Sequence, residues 1–203
     1  MKKEDREKNK AIKNALKEII KSKVKEYKLK KKDYMIYTIK DNMIYGLFVD
    51  ACIRETNLKP TINSFIKYKP LWIDNLLWDI LDMESNKNES DSLRVTGAFT
   101  VRGMTYSHDT IEFDGNIDTL EKLIDELFKN FENTISKLTN EKYIIDVKET
   151  DGKRDIDKAL VFIHENNYIE AKKILEEDKF FYSFIVGDKT SSELMLDYIN
   201  KNL

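Results

Sequence analysis

The chain has 203 residues, 41% apolar and 35% charged, with a formal net charge of −2. That length buries a core without staples, an aromatic content of 11% excludes a disordered chain, and a single cysteine, Cys52, excludes an intrachain disulfide and suits a reducing compartment. No apolar run approaches a membrane span, and Met1-Lys2-Lys3-Glu4-Asp5-Arg6 leads into charge, so the expectation is a cytoplasmic protein with no signal peptide and no membrane partner.

The charge is uneven. Residues 1–33 hold 14 Lys/Arg against 6 Asp/Glu, a net +8, which leaves −10 for the remaining 170 residues. A basic arm of this kind serves a polyanion, or pairs with the chain's own acidic face.

Residues Glu4 to Lys28 carry Ile12, Leu16, Ile19, Ile20, Val24 and Tyr27 at three- and four-residue spacing, which predicts an amphipathic helix with lysines on its other faces. Lys30-Lys31-Lys32 reads as a basic turn. Tyr34 to Ile39 and Met43 to Ile53 are β-branched and aromatic runs around the polar break Lys40-Asp41-Asn42, a hairpin pattern. Thr61 to Lys69 is expected as a third strand that stops at Pro70, and Leu71 to Leu81 as a short helix with Asp74 as a candidate N-cap, or alternatively as a strand followed by a turn. Glu84 to Ser92 is polar and unpatterned, a surface loop.

Leu93 to Arg102 alternates and predicts a strand. Gly103 makes the turn and Met104 to Phe113 returns. From Ile117 to Leu138 the apolar positions fit a 3.6-residue period, with Asp118 and Glu121 spaced as a capping pair. Tyr143 to Val147 reads as a last strand. Thr150-Asp151-Gly152-Lys153 is the candidate boundary before helices at Asp155–Glu165, Tyr168–Glu177 and Ser191–Asn202, the last with capping-box spacing between Thr190 and Glu193. Phe180 to Val186 fits strand or helix, and its neighbours favour helix. The whole predicts an α+β fold: an antiparallel sheet of about five strands covered by two long helices in residues 1–150, and a C-terminal helical hairpin or tail in residues 151–203 packed on it.

Two resemblances arise. From Ala11 to Val49, a basic helix leads into Leu29-Lys30-Lys31-Lys32-Asp33-Tyr34-Met35-Ile36-Tyr37, a polar break and an apolar strand. This resembles the opening of the bacterial DUF4304-type family of unknown function, departing from it at Leu29, where the family has an aromatic, and at Asp33-Tyr34, which lacks its Gly. The family has no established catalytic residues. Some members are thought to sit near toxin–immunity gene clusters, so the resemblance implies binding rather than catalysis. The second covers Ala159 to Leu175: His164 to Leu175, with Tyr168 and Ala171 three apart, is similar to the turn and second helix of a tetratricopeptide unit. One unit cannot make an array, so it implies a single helical hairpin.

The chemistry-bearing candidates are few. His108 and Glu112 are four apart on one side of a strand, with Asp109 between them. A metal there needs further ligands, and the other histidine, His164, lies in the tail as a solvated helix-end residue. Cys52 lacks a base in its motif and reads as a buried small hydrophobe. The six scattered glycines form no phosphate loop, and no cofactor is expected. Trp72 and Trp78 read as core or as an interface patch, and Tyr34, Tyr37, Tyr45, Tyr68 and Tyr106 as lining one sheet region. The expectation is a non-catalytic binding protein whose partner is another protein, of the immunity or defence-accessory type, using Trp72, Trp78, Tyr106, His108 and Glu112. Its edge is expected at Tyr106 to Glu112. The alternatives are nucleic-acid binding through Lys23, Lys25, Lys30, Lys31 and Lys32, and an enzyme with a site near His108 and Glu112.

Overall fold

The computed structural model describes residues 2–53, 59–150, 155–177 and 185–203. Helix α1 (Lys3–Glu26) precedes strands β1 (Lys30–Lys32), β2 (Met35–Lys40), β3 (Met43–Ile53) and β4 (Pro60–Pro70). Helix α2 (Leu71–Ile80), a 3-10 turn at Glu84–Asn88, helix α3 (Ser92–Thr96) and strand β5 (Met104–Glu112) follow. Helices α4 (Ile117–Ile135), α5 (Asn140–Glu149), α6 (Asp155–His164) and α7 (Tyr168–Glu177) come next, then the ribbon β6 (Ile185–Val186) and β7 (Lys189–Thr190), and helix α8 (Ser191–Asn202). The architecture is α+β. Among the described residues no helix is long and apolar enough to cross a membrane. The chain forms two compact units: residues 1–40, 44–68 and 105–138, and residues 41–43, 69–104 and 139–203.

The first unit holds the antiparallel sheet, ordered β1-β2-β3-β4-β5. Lys30–Lys32 is a strand and not a turn: it pairs with β2 from Lys30 opposite Tyr37 to Lys32 opposite Met35. The turning is done by Lys28 and Asp33, both at positive φ, which frees the three lysines to extend. Asp41 and Asn42 (φ 50° and 59°) make the mirror-image two-residue turn whose twist suits a hairpin.

α1 buries Ile12, Leu16 and Ile20, and α4 buries Leu120, Ile124, Leu127, Phe128 and Phe131. The two helices meet each other, and the Tyr27 and Phe128 rings lie 5.5 Å apart. Each such side chain, fully buried, contributes about 1.5–3 kcal/mol. The α4 N-cap is Asn116, whose side chain accepts from the Asp118 N–H at 2.9 Å, so the cap sits two residues before the expected Asp118–Glu121 pair. The turn before it needs Gly115 (φ 80°): a Cβ there would meet Lys8 Cε at 2.7 Å and Pro60 Cγ at 3.0 Å.

In the second unit, the run Leu93 to Arg102 does not form the expected strand. It begins in α3 and continues irregularly, with Phe99 at φ 56°. Distant side chains take its backbone groups. Asp74 Oδ1 accepts from the Val101 N–H (2.9 Å), Lys69 Nζ donates to Val101 O (2.7 Å), and Trp78 Nε1 donates to Phe99 O (2.7 Å). The edge partner of β5 is therefore β4, and no Leu93–Phe113 hairpin exists. Asp74 is no cap either: Pro70 takes the N-cap position of α2 and the Asp74 carboxylate is fully buried.

Tyr143 to Val147 is helix, not strand. Thr139 caps α5 by accepting from the Lys142 N–H, and Tyr143 and Val147, one turn apart, are both 0% exposed. α6 and α7 make the expected helical hairpin, with Ala171 and Leu175 buried. Thr190 and Glu193 form the expected capping box of α8. Of the expected helix Phe180 to Val186, residues 180–184 lie outside the described residues, and Ile185–Val186 is strand β6. Residues 151–153 of the expected boundary turn also lie outside them.

Candidate functional site

Strand alternation sorts β3 and β4 into two faces. Leu47, Val49, Ala51 and Ile62, Ser64, Ile66, Tyr68 are buried; Phe48, Asp50, Cys52 and Asn63, Phe65, Lys67 on the opposite parity are not. On that second face four rings form a row across the sheet. Tyr34 meets Phe48 edge-on at 5.9 Å, Phe48 stacks on Phe65 at 4.5 Å and 6°, and Phe65 meets His108 edge-on at 6.3 Å. Lys67 Nζ sits 5.0 Å from the Phe65 ring. Tyr34 is 60% exposed and Tyr106, further along β5, is 42% exposed. Phe48 and Phe65 each give one face to the other, and the most exposed ring of the row is Tyr34 at its end.

The pairing of β5 with β4 has one consistent register. The Phe113 N–H donates to Pro60 O (3.0 Å), Thr110 Oγ1 meets Asn63 Oδ1 (3.1 Å), and His108 meets Phe65. Phe113 opposite Pro60 is a hydrogen-bonded pair, so the odd-numbered residues of β5 point their backbone groups at β4. Its even-numbered residues point theirs away from the sheet.

The five expected binding residues fall into the two units. Tyr106, His108 and Glu112 lie on β5, with Glu112 bonded to Lys59 at 2.6 Å. Trp72 and Trp78 lie on α2 in the second unit. Trp78 is 0% exposed, with Arg94 4.5 Å over its ring, and is core. Trp72 stacks on the exposed His164 (3.9 Å, 8°) and donates to Asn140 Oδ1 at 2.7 Å. Of the five tyrosines expected to line the sheet, Tyr37, Tyr45 and Tyr68 are buried, and Tyr34 and Tyr106 face out. Cys52 is half-buried on the ring-bearing face rather than in the core. Among the described residues no three His, Cys, Asp or Glu side chains are grouped to hold a metal.

Of the five lysines expected to face a polyanion, Lys25, Lys30, Lys31 and Lys32 are exposed. Lys23 is not: its side chain is 14% exposed and bonds Asp125 (2.6 Å) and Glu26 (2.9 Å). Those bonds, Asp125 first, hold its ammonium well above the ordinary lysine pKa.

Sequence reasoning missed Phe48 and Phe65, although each is an aromatic at a polar parity: Phe65 stands between Asn63 and Lys67 in the alternation. It also missed a buried ionic cluster with no local signature. Lys69 Nζ lies 2.8 Å from both carboxylate oxygens of Asp74. Asp74 Oδ2 receives no well-directed hydrogen bond, with Arg94 Nη1 3.9 Å away. Arg94 donates to Leu71 O and Asn75 Oδ1. Burial pushes the Lys69 pKa down, against the pull of Asp74, and does the same to Arg94. These groups are engaged with the chain itself, and the cluster is a latch on the 94–101 segment. No family model, curated protein or solved structure matches this chain.

Proposed function

We propose that this is a non-catalytic cytoplasmic binding protein of the immunity or defence-accessory type, which occludes a partner protein with the outer face of its sheet. The observation that supports this reading most is the ring row Tyr34, Phe48, Phe65 and His108, continued by Tyr106. Partly exposed aromatics that are held rigid by one another make interface anchors at low entropic cost. Chemistry at His108 and Glu112 has less support, because the imidazole packs on Phe65 and the carboxylate on Lys59.

The test is capture by the full chain at moderate salt, with the bound protein identified by mass spectrometry. Phe65→Ser is expected to lose that partner while keeping the wild-type circular dichroism, with a cooperative melt at a somewhat lower temperature because its ring packing is lost. A chain that retains no specific partner under repeated trial, or a Phe65→Ser variant that retains it fully, sinks the reading.

The exposed Lys25 and Lys30–Lys32 favour a second reading, nucleic-acid binding through the basic N-terminal segment. The centre of the ring row adds little to it, since bases stack on ring faces and Phe48 and Phe65 stack on each other. Fluorescence anisotropy with a single-stranded and a duplex oligonucleotide decides. A salt-dependent affinity supports it, and none at low salt removes it.

A further inference from the structure

The two edges of the sheet are built differently. β1 is three residues long and all lysine, and both shortness and edge lysines blunt an edge against further pairing. β5 is nine residues long and contains no lysine, no proline and no glycine. It ends the strand order, and Thr105, Tyr106, His108, Asp109 and Thr110 are all exposed. By the register above, the N–H and C=O groups of Tyr106, His108 and Thr110 point outward along this open edge.

Two side-chain observations bear on what fits there. The Asp109 carboxylate makes no hydrogen bond or ion pair among the described residues, and it stands mid-strand on the parity opposite to Tyr106 and His108. Asp114 and Asp118, both exposed, continue the negative charge past the end of the strand. On the Asp109 parity, Ser107 Oγ is buried without a hydrogen-bond partner. An acidic strand laid beside β5 would set like charges side by side, whereas a basic one would pair with Asp109.

We infer that the β5 edge takes an extended segment of the partner protein as a sixth strand, with Lys or Arg at the positions facing Asp109 and apolar side chains alternating with them beside Tyr106 and His108. Main-chain pairing supplies affinity and the alternation supplies selection. The inference rests on the protein-binding reading above and names the mode and chemistry of that binding. The occupant is a partner rather than a second copy of this chain, because β5 against β5 would bring the Asp109 charges of the two copies into one ladder. The lysine edge β1 offers only three residues to pair.

The test uses the full ¹⁵N-labelled chain and capped synthetic peptides alternating Lys with Val, alternating Glu with Val, and Lys with Val interrupted by a central Pro. The Lys–Val peptide is expected to bind about tenfold or more tighter than the Glu–Val one. Slowed amide exchange is expected at Tyr106, His108 and Thr110, with little binding of the Pro peptide. Asp109→Lys is expected to reverse the order of the first two peptides. Thr110→Pro removes one outward N–H and leaves the backbone bonds to β4 in place, giving up only the exposed side-chain bond to Asn63, and is expected to weaken the Lys–Val peptide with a melt lowered slightly at most. If that variant does not fold, Asp109→Lys carries the test alone. Equal affinity for the two charged peptides, or protection elsewhere on the chain, overturns the inference. So does concentration-dependent self-assembly of the wild type that Asp109→Lys abolishes, which makes a second copy the occupant. A captured partner lost in Phe65→Ser but kept in both β5 variants leaves the binding reading standing and the edge inference refuted. A partner kept in all three refutes both.

Discussion

In the first unit Lys23 and Asp125 pair at 2.6 Å between α1 and α4; in the second, Lys69 and Asp74 pair at 2.8 Å beside α2. The residue types and distances are nearly the same, and the surroundings are not. Asp125 is 27% exposed at its side chain and shared with Lys129, while Lys69 and Asp74 are 4% and 0% exposed. Near water the partners raise the lysine pKa. In the core the cost of dehydrating an ammonium outweighs the attraction and lowers it. Proximity of opposite charges therefore does not by itself say whether a pair stabilises. The first is a trim on a seam that apolar packing already holds. The second replaces the strand ladder that the 94–101 segment lacks.

The largest effect is expected from Asp74→Ala. It strands the buried Lys69 ammonium and removes the acceptor of the Val101 N–H, a loss of about 3–5 kcal/mol by analogy with other broken buried pairs. Urea unfolding measures it, and a loss below about 1 kcal/mol would break the contrast, since exposed pairs contribute no more than that.

The next effect is in pH dependence, where the two lysines have opposite signs. The Lys69 pKa is lowered in the folded state, so between that value and the ordinary 10.5 the unfolded chain holds more protons than the folded one. The Lys69 contribution to stability therefore rises with pH through that window. The Lys23 pKa is raised, so its contribution is complete below 10.5 and is lost only as pH climbs through the higher folded value. Lys69→Met is expected to remove an upward alkaline slope in the urea midpoint that the wild type shows below pH 10.5. Parallel curves for the two proteins would mean that Lys69 stays charged throughout.

The smallest effect is expected from Asp125→Asn. It lowers the melting temperature slightly at low salt, and the difference from wild type closes as salt is added, because this pair is screened. A loss that salt leaves untouched would move the pair into the same class as the buried one.

Much of the fold is legible locally. β3, α7 and α8 have the bounds that their periodicity gives, and α4 is clear from its apolar stripe. The Thr190–Glu193 box works because both partners are three residues apart on one turn. The β5 edge was legible too, since Tyr106 to Glu112 carries polar groups on both parities. The two main errors have different causes. Leu93 to Arg102 alternates like a strand, but Lys69, Asp74 and Trp78, some twenty to thirty residues earlier, take its backbone bonds. Tyr143 to Val147 is too short for its period to separate strand from helix, and the burial of Tyr143 and Val147 on one face settles it.

The candidate site divides in the same way. The outward position of Phe65 was available from alternation alone, whereas its stacking on Phe48 depends on which strand lies beside β4. The sequence by itself determined the α+β class, the long amphipathic helices, the Thr190–Glu193 capping box and the polar character of β5, because these depend on residues a few positions apart. Tertiary structure alone decided which strand lies beside β5, namely β4 and not the 93–102 run. It also joined the four rings into a row, and it set the opposite pKa shifts of two lysines with similar partners. Each of these depends on which distant groups exclude water from which others, and that is not a property of any local pattern.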